Sequence, residues 1–235
     1  PDFSCVDGLC EDDTEDLVVV PAGVFSMGCD DVLKTGSCPT TMKGLIQVDV
    51  AAYAIMRNPV TAEQFKTCVD DAGACTGAGT GADSTYNKLG FEDHPINWVD
   101  HTQAGAYCAW RGAGWGLCTD AQWEKAARGN DARDYPWGNT APSCSEAVFD
   151  FDTVGDGCGG DATLSVGSKP DGASPFGVQD MAGNVAEWVA DWFWSIEGTG
   201  WVPEDAAIDN PTGPGTGTQK IVRNAAYSYS GDVTK

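Results

Sequence analysis

The sequence predicts an α+β domain in which short β segments and a few short helices are joined by long loops and stapled by disulfides. Three observations predict it. Two stretches of alternating hydrophobicity lie near the N-terminus, Leu17 to Met27 and Ile46 to Ile55. Three capping-box sequences follow. Ten cysteines fall into close sequential couples, and from Asn130 onward the chain is rich in Gly, Pro, Asp and Trp.

Residues 1–16 read as an acidic arm and residues 17–235 as one domain, since no linker or repeated block divides the 235 residues. The first β segment is interrupted by Pro21-Ala22-Gly23, and the second places Ile46, Val48 and Val50 on one face. Helices are expected after Thr61, Asp100 and Thr119. In each, the cap side chain can take the amide three residues on, where Gln64, Gln103 or Gln122 reaches back. Each helix ends near a glycine, Gly73, Gly112 or Gly129. Phe65, Cys68, Val69 and Ala72 share one face of the first helix, and Ala104, Tyr107, Cys108 and Arg111 share one face of the second. The stretches 155–177 and 198–219 show neither period, so clamps are expected there: disulfides, buried tryptophans and bound cations.

Thirty-five acidic against 13 basic residues give a net charge of -22, which repels phosphate backbones and argues against nucleic acid as a partner. No apolar run approaches the length of a membrane-spanning helix. None of the cysteines forms a C-x-x-C knuckle, which argues against structural zinc and dithiol redox sites. Their order suggests five local bridges: Cys5–Cys10, Cys29–Cys38, Cys68–Cys75, Cys108–Cys118 and Cys144–Cys158. Disulfides persist in oxidising compartments, so secretion, the cell surface or the periplasm is expected. His94 and His101 lack metal-site spacing and are assigned structural roles. The glycines at 77, 79 and 81 lack the lysine and the strand-to-helix setting of a phosphate loop. The nine tryptophans are expected chiefly to fill the core.

Four ordered blocks carry a family resemblance. They are Pro21-Ala-Gly-Val-Phe-Ser-Met-Gly28; Arg57-Asn-Pro-Val-Thr-Ala-Glu-Gln-Phe65; the run from His94-Pro-Ile-Asn-Trp98 through Leu117-Cys-Thr-Asp-Ala-Gln-Trp-Glu-Lys-Ala-Ala-Arg-Gly129 to Tyr135-Pro-Trp-Gly138; and Val166-Gly-Ser-Lys-Pro170 with Asp180-Met-Ala-Gly-Asn-Val-Ala-Glu-Trp188. In order and spacing the chain resembles the formylglycine-generating enzyme, or sulfatase-modifying factor, family. The resemblance implies a fold akin to C-type lectins, with twisted antiparallel β segments. It also implies a structural Ca2+ held by side-chain oxygens of Asp180 and Glu187 and the carbonyls of Gly183 and Val185, an all-oxygen set that suits a hard cation. A second family calcium site, around Ala147 and Val148, lacks its expected side-chain ligand; Asp150, Asp152 and Asp156 are the acids nearby.

The family oxidises a cysteine of a client sulfatase with a copper ion held by two thiolates, which follow an Arg-Gly-Gly-Ser-Trp/Tyr segment. The matching stretch here is Arg223-Asn-Ala-Ala-Tyr227, which puts Tyr229 and Thr234 at the thiolate positions, and no cysteine follows Cys158. Copper is therefore not expected, and no catalytic residue is assigned. The family's last strands fall beyond Lys235, so either a longer chain supplies them or a partner chain, self-assembly included, completes the sheet. The reading is a non-catalytic, secreted calcium-binding module for an extracellular protein or glycan ligand, or for surface or filament assembly. The alternative is a formylglycine-generating oxidase or a related oxidative enzyme with an atypical site.

Overall fold

A computed structural model describes residues 5–6, 9–10, 17–29, 44–71, 73–131, 133–150, 158, 160, 162–193 and 208–228. In the arm, β1 (Cys5–Val6) and β2 (Leu9–Cys10) pair antiparallel with Cys5 opposite Cys10.

The first predicted strand divides at Pro21-Ala22 into β3 (Leu17–Val20) and β4 (Gly23–Cys29). Proline cannot donate to a ladder, so the chain leaves one sheet and enters another there. The second predicted strand also divides, at Ala51-Ala52, into β5 (Gly44–Val50) and β6 (Tyr53–Met56). The pairing is nested: β4 pairs with β5, and β3 pairs with β6, both antiparallel. The alternation on β5 holds, with Ile46, Val48 and Val50 buried.

All three helices form with both halves of their capping boxes. They are α1 (Ala62–Asp70) capped by Thr61, α2 (His101–Arg111) capped by Asp100, and α3 (Asp120–Arg128) capped by Thr119. Gly112 and Gly129 close α2 and α3 at φ of 120° and 67°, conformations that favour glycine. Because the Thr119 hydroxyl satisfies the Gln122 amide, Thr119→Ala is expected to cost about 1 kcal/mol in a denaturation experiment, and Thr119→Ser much less.

Helix α3 is the central element. Trp123, Ala126 and Ala127 pack with Val18, Val20, Val178, Met181, Val189 and Ile221. On its other side Ala121 joins Phe25, Met27, Ile46, Val48 and Val50. Lys125, completely buried, donates to the carbonyls of Gly23 (2.7 Å) and Val50 (3.3 Å), tying the helix to the ends of β4 and β5. A third cluster joins α1 to α2 through Phe65, Cys68, Cys75, Ala78 and Tyr107.

The C-terminal part adds β7 (Glu187–Trp192), β8 (Ile208–Asp209) and β9 (Lys220–Arg223). β9 pairs antiparallel with β7, and β8 lies parallel beside β5. Among the described tryptophans only Trp123 is buried in a core; Trp110, Trp115, Trp137, Trp188 and Trp192 are half-buried and Trp98 is exposed. The core is thus filled mainly by aliphatic side chains, because the indoles sit at loop clamps where their N–H groups meet acceptors such as Asp71, Val99 and Thr140.

Cys68–Cys75 and Cys144–Cys158 are bridged, and Cys29 is also disulfide-bonded. Cys38 lies outside the described residues. The expected Cys108–Cys118 bridge is not formed: both are free thiols. Cys108 rides on α2, whereas the Cys118 carbonyl is fixed by the Ala190 amide of β7 (2.8 Å). Nearness in sequence does not impose the backbone approach that a disulfide requires.

Candidate functional site

Two neighbouring features are built from residues that the sequence singled out. One is a cavity of about 620 Å³ between α2, the start of α3 and the entry to β7. Tyr53, Tyr107, Trp115, Trp123 and Trp188 give it aromatic walls, and Cys108, Cys118 and Glu187 also line it. A concave, mostly apolar space with several aromatic side chains and a few polar groups is the usual form of a small-ligand site.

The two thiols are held in their protonated form. Burial raises Cys108. Burial, then the Glu187 carboxylate, then the Cys108 thiol push Cys118 up to about 12. Glu187 itself is pushed up to about 7, first by burial and then by Asp180, while a hydrogen bond from Trp123 Nε1 (2.8 Å) opposes the shift. The thiolate is the reactive form, so at pH 8 Cys118 should react with iodoacetamide roughly a thousandfold more slowly than an unperturbed thiol. Its rate should rise about tenfold per pH unit up to pH 12. Mass-spectrometric counting of labelled sites checks this; labelling as fast as in the denatured protein contradicts it.

The second feature is the turn from Asp180 to Val185, which leads into β7. Asp180 and Asn184 are left-handed, at φ of 56° and 64°, as is Gly183 at 84°. A Cβ on Gly183 would lie 2.3 Å from the Val148 carbonyl oxygen, so only glycine fits. Asn184, completely buried, brackets Leu164 from both sides: its Nδ2 donates to the Leu164 carbonyl and its Oδ1 accepts from the Leu164 amide, each at 3.1 Å. The Asn184 amide donates to the Val148 carbonyl (2.7 Å), so the region of the second expected cation site is engaged by backbone. Asp152 and Asp156 lie outside the described residues.

The four expected calcium ligands are close together in the chain but face different partners. Asp180 Oδ2 accepts from the Gly167 amide (2.7 Å), and Glu187 Oε2 accepts from Trp123. Burial raises Asp180, against hydrogen bonds from Gly167 and Asn184. The carbonyls of Gly183 and Val185 converge on Asn224 Nδ2, at 2.7 and 2.9 Å. All these donors are oxygen, which suits Ca2+ in kind. In this arrangement, however, a side-chain amide already fills the point where the two carbonyls meet, so a cation held by all four groups does not fit.

Neither histidine faces a metal-like cluster. His94 Nδ1 meets Thr163 Oγ1 (2.8 Å), and His101 Nε2 meets the Val189 carbonyl (3.0 Å) beside the Trp188 ring. Among the described residues no group of three or more His, Cys, Asp or Glu could hold a metal ion. Tyr229 and Thr234 lie outside the described residues. Sequence reasoning missed the free thiols and the role of Asn224. The signal for Asn224 was present, since it stands where the family segment has glycine.

Short paired sheets, three capped helices and a loop-built cavity define an α+β domain of the formylglycine-generating-enzyme-like type. The chain belongs to the sulfatase-modifying factor family: the family model described as "Sulfatase-modifying factor enzyme 1-like domain" matches residues 3–232. It is 30% identical over 219 residues to a hercynine oxygenase of Mycolicibacterium thermoresistibile, a match covering 80% of this chain and 47% of that protein. It is 38% identical over 144 residues to the formylglycine-generating enzyme of Thermomonospora curvata, covering 57% of this chain and 45% of the relative. The chain therefore spans about half the length of these relatives. Among solved structures it is similar to PvdO from Pseudomonas aeruginosa, with a TM-score of 0.62 and 27% identity, covering 83% of this chain and 82% of PvdO. It also shares the fold of Treponema denticola variable protein 1, with a TM-score of 0.69 and 19% identity, covering 99% and 90% of the two chains.

Disulfides such as Cys68–Cys75 and Cys144–Cys158 fit a non-cytosolic setting. No described helix is long and apolar enough to cross a membrane.

Proposed function

We propose that this chain is the sulfatase-modifying-factor domain of an oxidative enzyme acting on a sulfur-containing substrate. The reading is the alternative raised by the sequence, and relatives named as an oxygenase and as a formylglycine-generating enzyme support it over a non-catalytic module. One observation carries it to a place on this chain: two unbridged thiols line the same aromatic-walled cavity. The cavity receives the substrate, and the thiols are the sulfur groups it meets. Copper held in the family's manner does not fit Tyr229 and Thr234, neither of which is a thiol. No step is assigned to it.

The test is oxygen uptake and product mass with two probes, a Cys-x-Pro-x-Arg peptide and hercynine with a thiol donor, each with copper(I) or iron(II) supplied. Oxygen uptake with loss of the thiol of the peptide or of the added donor, reduced at least tenfold in Cys118→Ser and Cys108→Ser, is the expected result. No uptake with either probe and either metal overturns the reading.

A second reading is favoured by Tyr229 and Thr234, which stand where the family resemblance places the two copper thiolates. It is a secreted or surface-exposed binding module whose cavity holds an extracellular protein or glycan ligand, or whose sheet edges pair with another chain. Glycan-array binding, or a concentration-dependent change in size, in a protein inert toward both probes supports this second reading.

A further inference from the structure

We infer that the side-chain amide of Asn224 takes the place of a divalent cation in the Asp180–Val185 turn, so that this turn is ordered without calcium. The inference stands apart from the proposed oxidative function and rests on five polar contacts of one side chain. Asn224 Nδ2 lies 2.9, 2.7 and 2.9 Å from the carbonyls of Asp180, Gly183 and Val185, so its two hydrogens are shared among three acceptors. Asn224 Oδ1 accepts from the amides of Gly183 (2.6 Å) and Ala225 (2.7 Å).

That pattern fixes which end of the amide is which. Exchanging O and N would set an acceptor against three carbonyls and a donor against two N–H groups. Three carbonyls converging on one electropositive centre is how irregular backbone holds a hard cation. Here the positive end of an amide dipole serves, and it arrives already attached to the chain. The backbone permits it: Asn224 is left-handed at φ 67°, a conformation that asparagine tolerates better than most residues. The segment is locked from both sides, because the Tyr227 amide donates to the Asn184 carbonyl (3.0 Å) and β9 pairs with β7 through Arg223 and Glu187. Asn224 thus joins the strand carrying Arg223 to the turn that a cation would otherwise close.

The experiment is thermal melting of the full chain in chelator, in calcium and in magnesium, for wild type, Asn224→Gly and Asn224→Asp. Wild type is expected to melt within about 2 °C in all three, a shift worth less than about 1 kcal/mol for a chain of this size. Asn224→Asp places a carboxylate among the three carbonyls; it should melt lower in chelator and recover by more than about 5 °C in calcium alone, as a cation returns. Asn224→Gly should likewise gain a calcium response. Magnesium controls for loose binding by an acidic surface. The inference is overturned if wild type is stabilised by calcium over magnesium and Glu187→Gln abolishes the effect. It is also overturned if both variants fold and are as indifferent to calcium as wild type. Should a variant fail to fold, titration calorimetry of wild type decides: stoichiometric calcium uptake overturns the inference, and its lack supports it.

Discussion

Arg223→Met is expected to lower the unfolding free energy by about 3–5 kcal/mol, because it leaves the enclosed Asp120 carboxylate without its cation and removes one of the two arginines on Glu124. The guanidinium donates from Nε to Asp120 Oδ1 and from Nη2 to Glu124 Oε2 (3.0 Å), and the three side chains are 13%, 8% and 10% exposed. Burial works against the charged guanidinium, but Asp120 and Glu124 outweigh it and hold Arg223 above its ordinary range. The network extends further. Glu124 Oε1 accepts from the Gly28 amide (2.7 Å) and from Arg128 Nη1 (3.0 Å), and Asp191 Oδ2 accepts from the Asp120 amide (2.9 Å). One arginine therefore fastens β9 to α3, and through it to β4. Urea denaturation should show a lower midpoint at unchanged slope. The exposed pair Lys66–Asp70 on α1 supplies the control, where Lys66→Ala should change nothing measurable. If Arg223→Met and Lys66→Ala behave alike, the network does not hold the strand.

A loss of similar size, about 3–5 kcal/mol, is expected for Phe65→Ala. Phe65 is 1% exposed and lies between Tyr86, edge-on at 6.2 Å, and Tyr107, stacked at 6.0 Å. It is the apolar bond between α1 and α2, the helix that carries Cys108 to the cavity wall. Truncation removes buried surface and leaves a void that two aromatic neighbours and a disulfide-closed loop cannot collapse into. Phe65→Leu retains most of the volume and should cost less than about 1.5 kcal/mol. Chemical denaturation checks both, and equal losses for the two would contradict a packing origin.

The starts of the helices were legible in the sequence to the residue, whereas α1 ends at Asp70, three positions before the expected Gly73. Thr61, Asp100 and Thr119 each have glutamine three positions on, and a cap is a local device whose partners lie within one turn. The β segments were legible as segments, but the split of 46–55 into β5 and β6 was not, because alternation does not say which strand takes which partner. The two-residue β8 was not foreseen at all. It is defined by its parallel neighbour β5 and by Asn210, whose Oδ1 accepts from the Ala51 amide (2.7 Å), contacts made by residues far apart in the chain.

The cysteines show the same boundary. Couples in sequence foretold Cys68–Cys75, whose short loop leaves little choice, and Cys144–Cys158. For Cys108 and Cys118 the rule failed, because α2 and β7 set the two backbones independently and a cavity lies beside both sulfurs.

By itself, then, the sequence determined the family and the starts of the capped helices, since each follows from local chemistry or from ordered motifs. Only the tertiary structure decided that the thiols at 108 and 118 stay unbridged and that Asn224 reaches the carbonyls of the 180–185 turn. Hydrogen bonds between residues some forty positions apart depend on which strands pair, and nothing in the local sequence records that pairing.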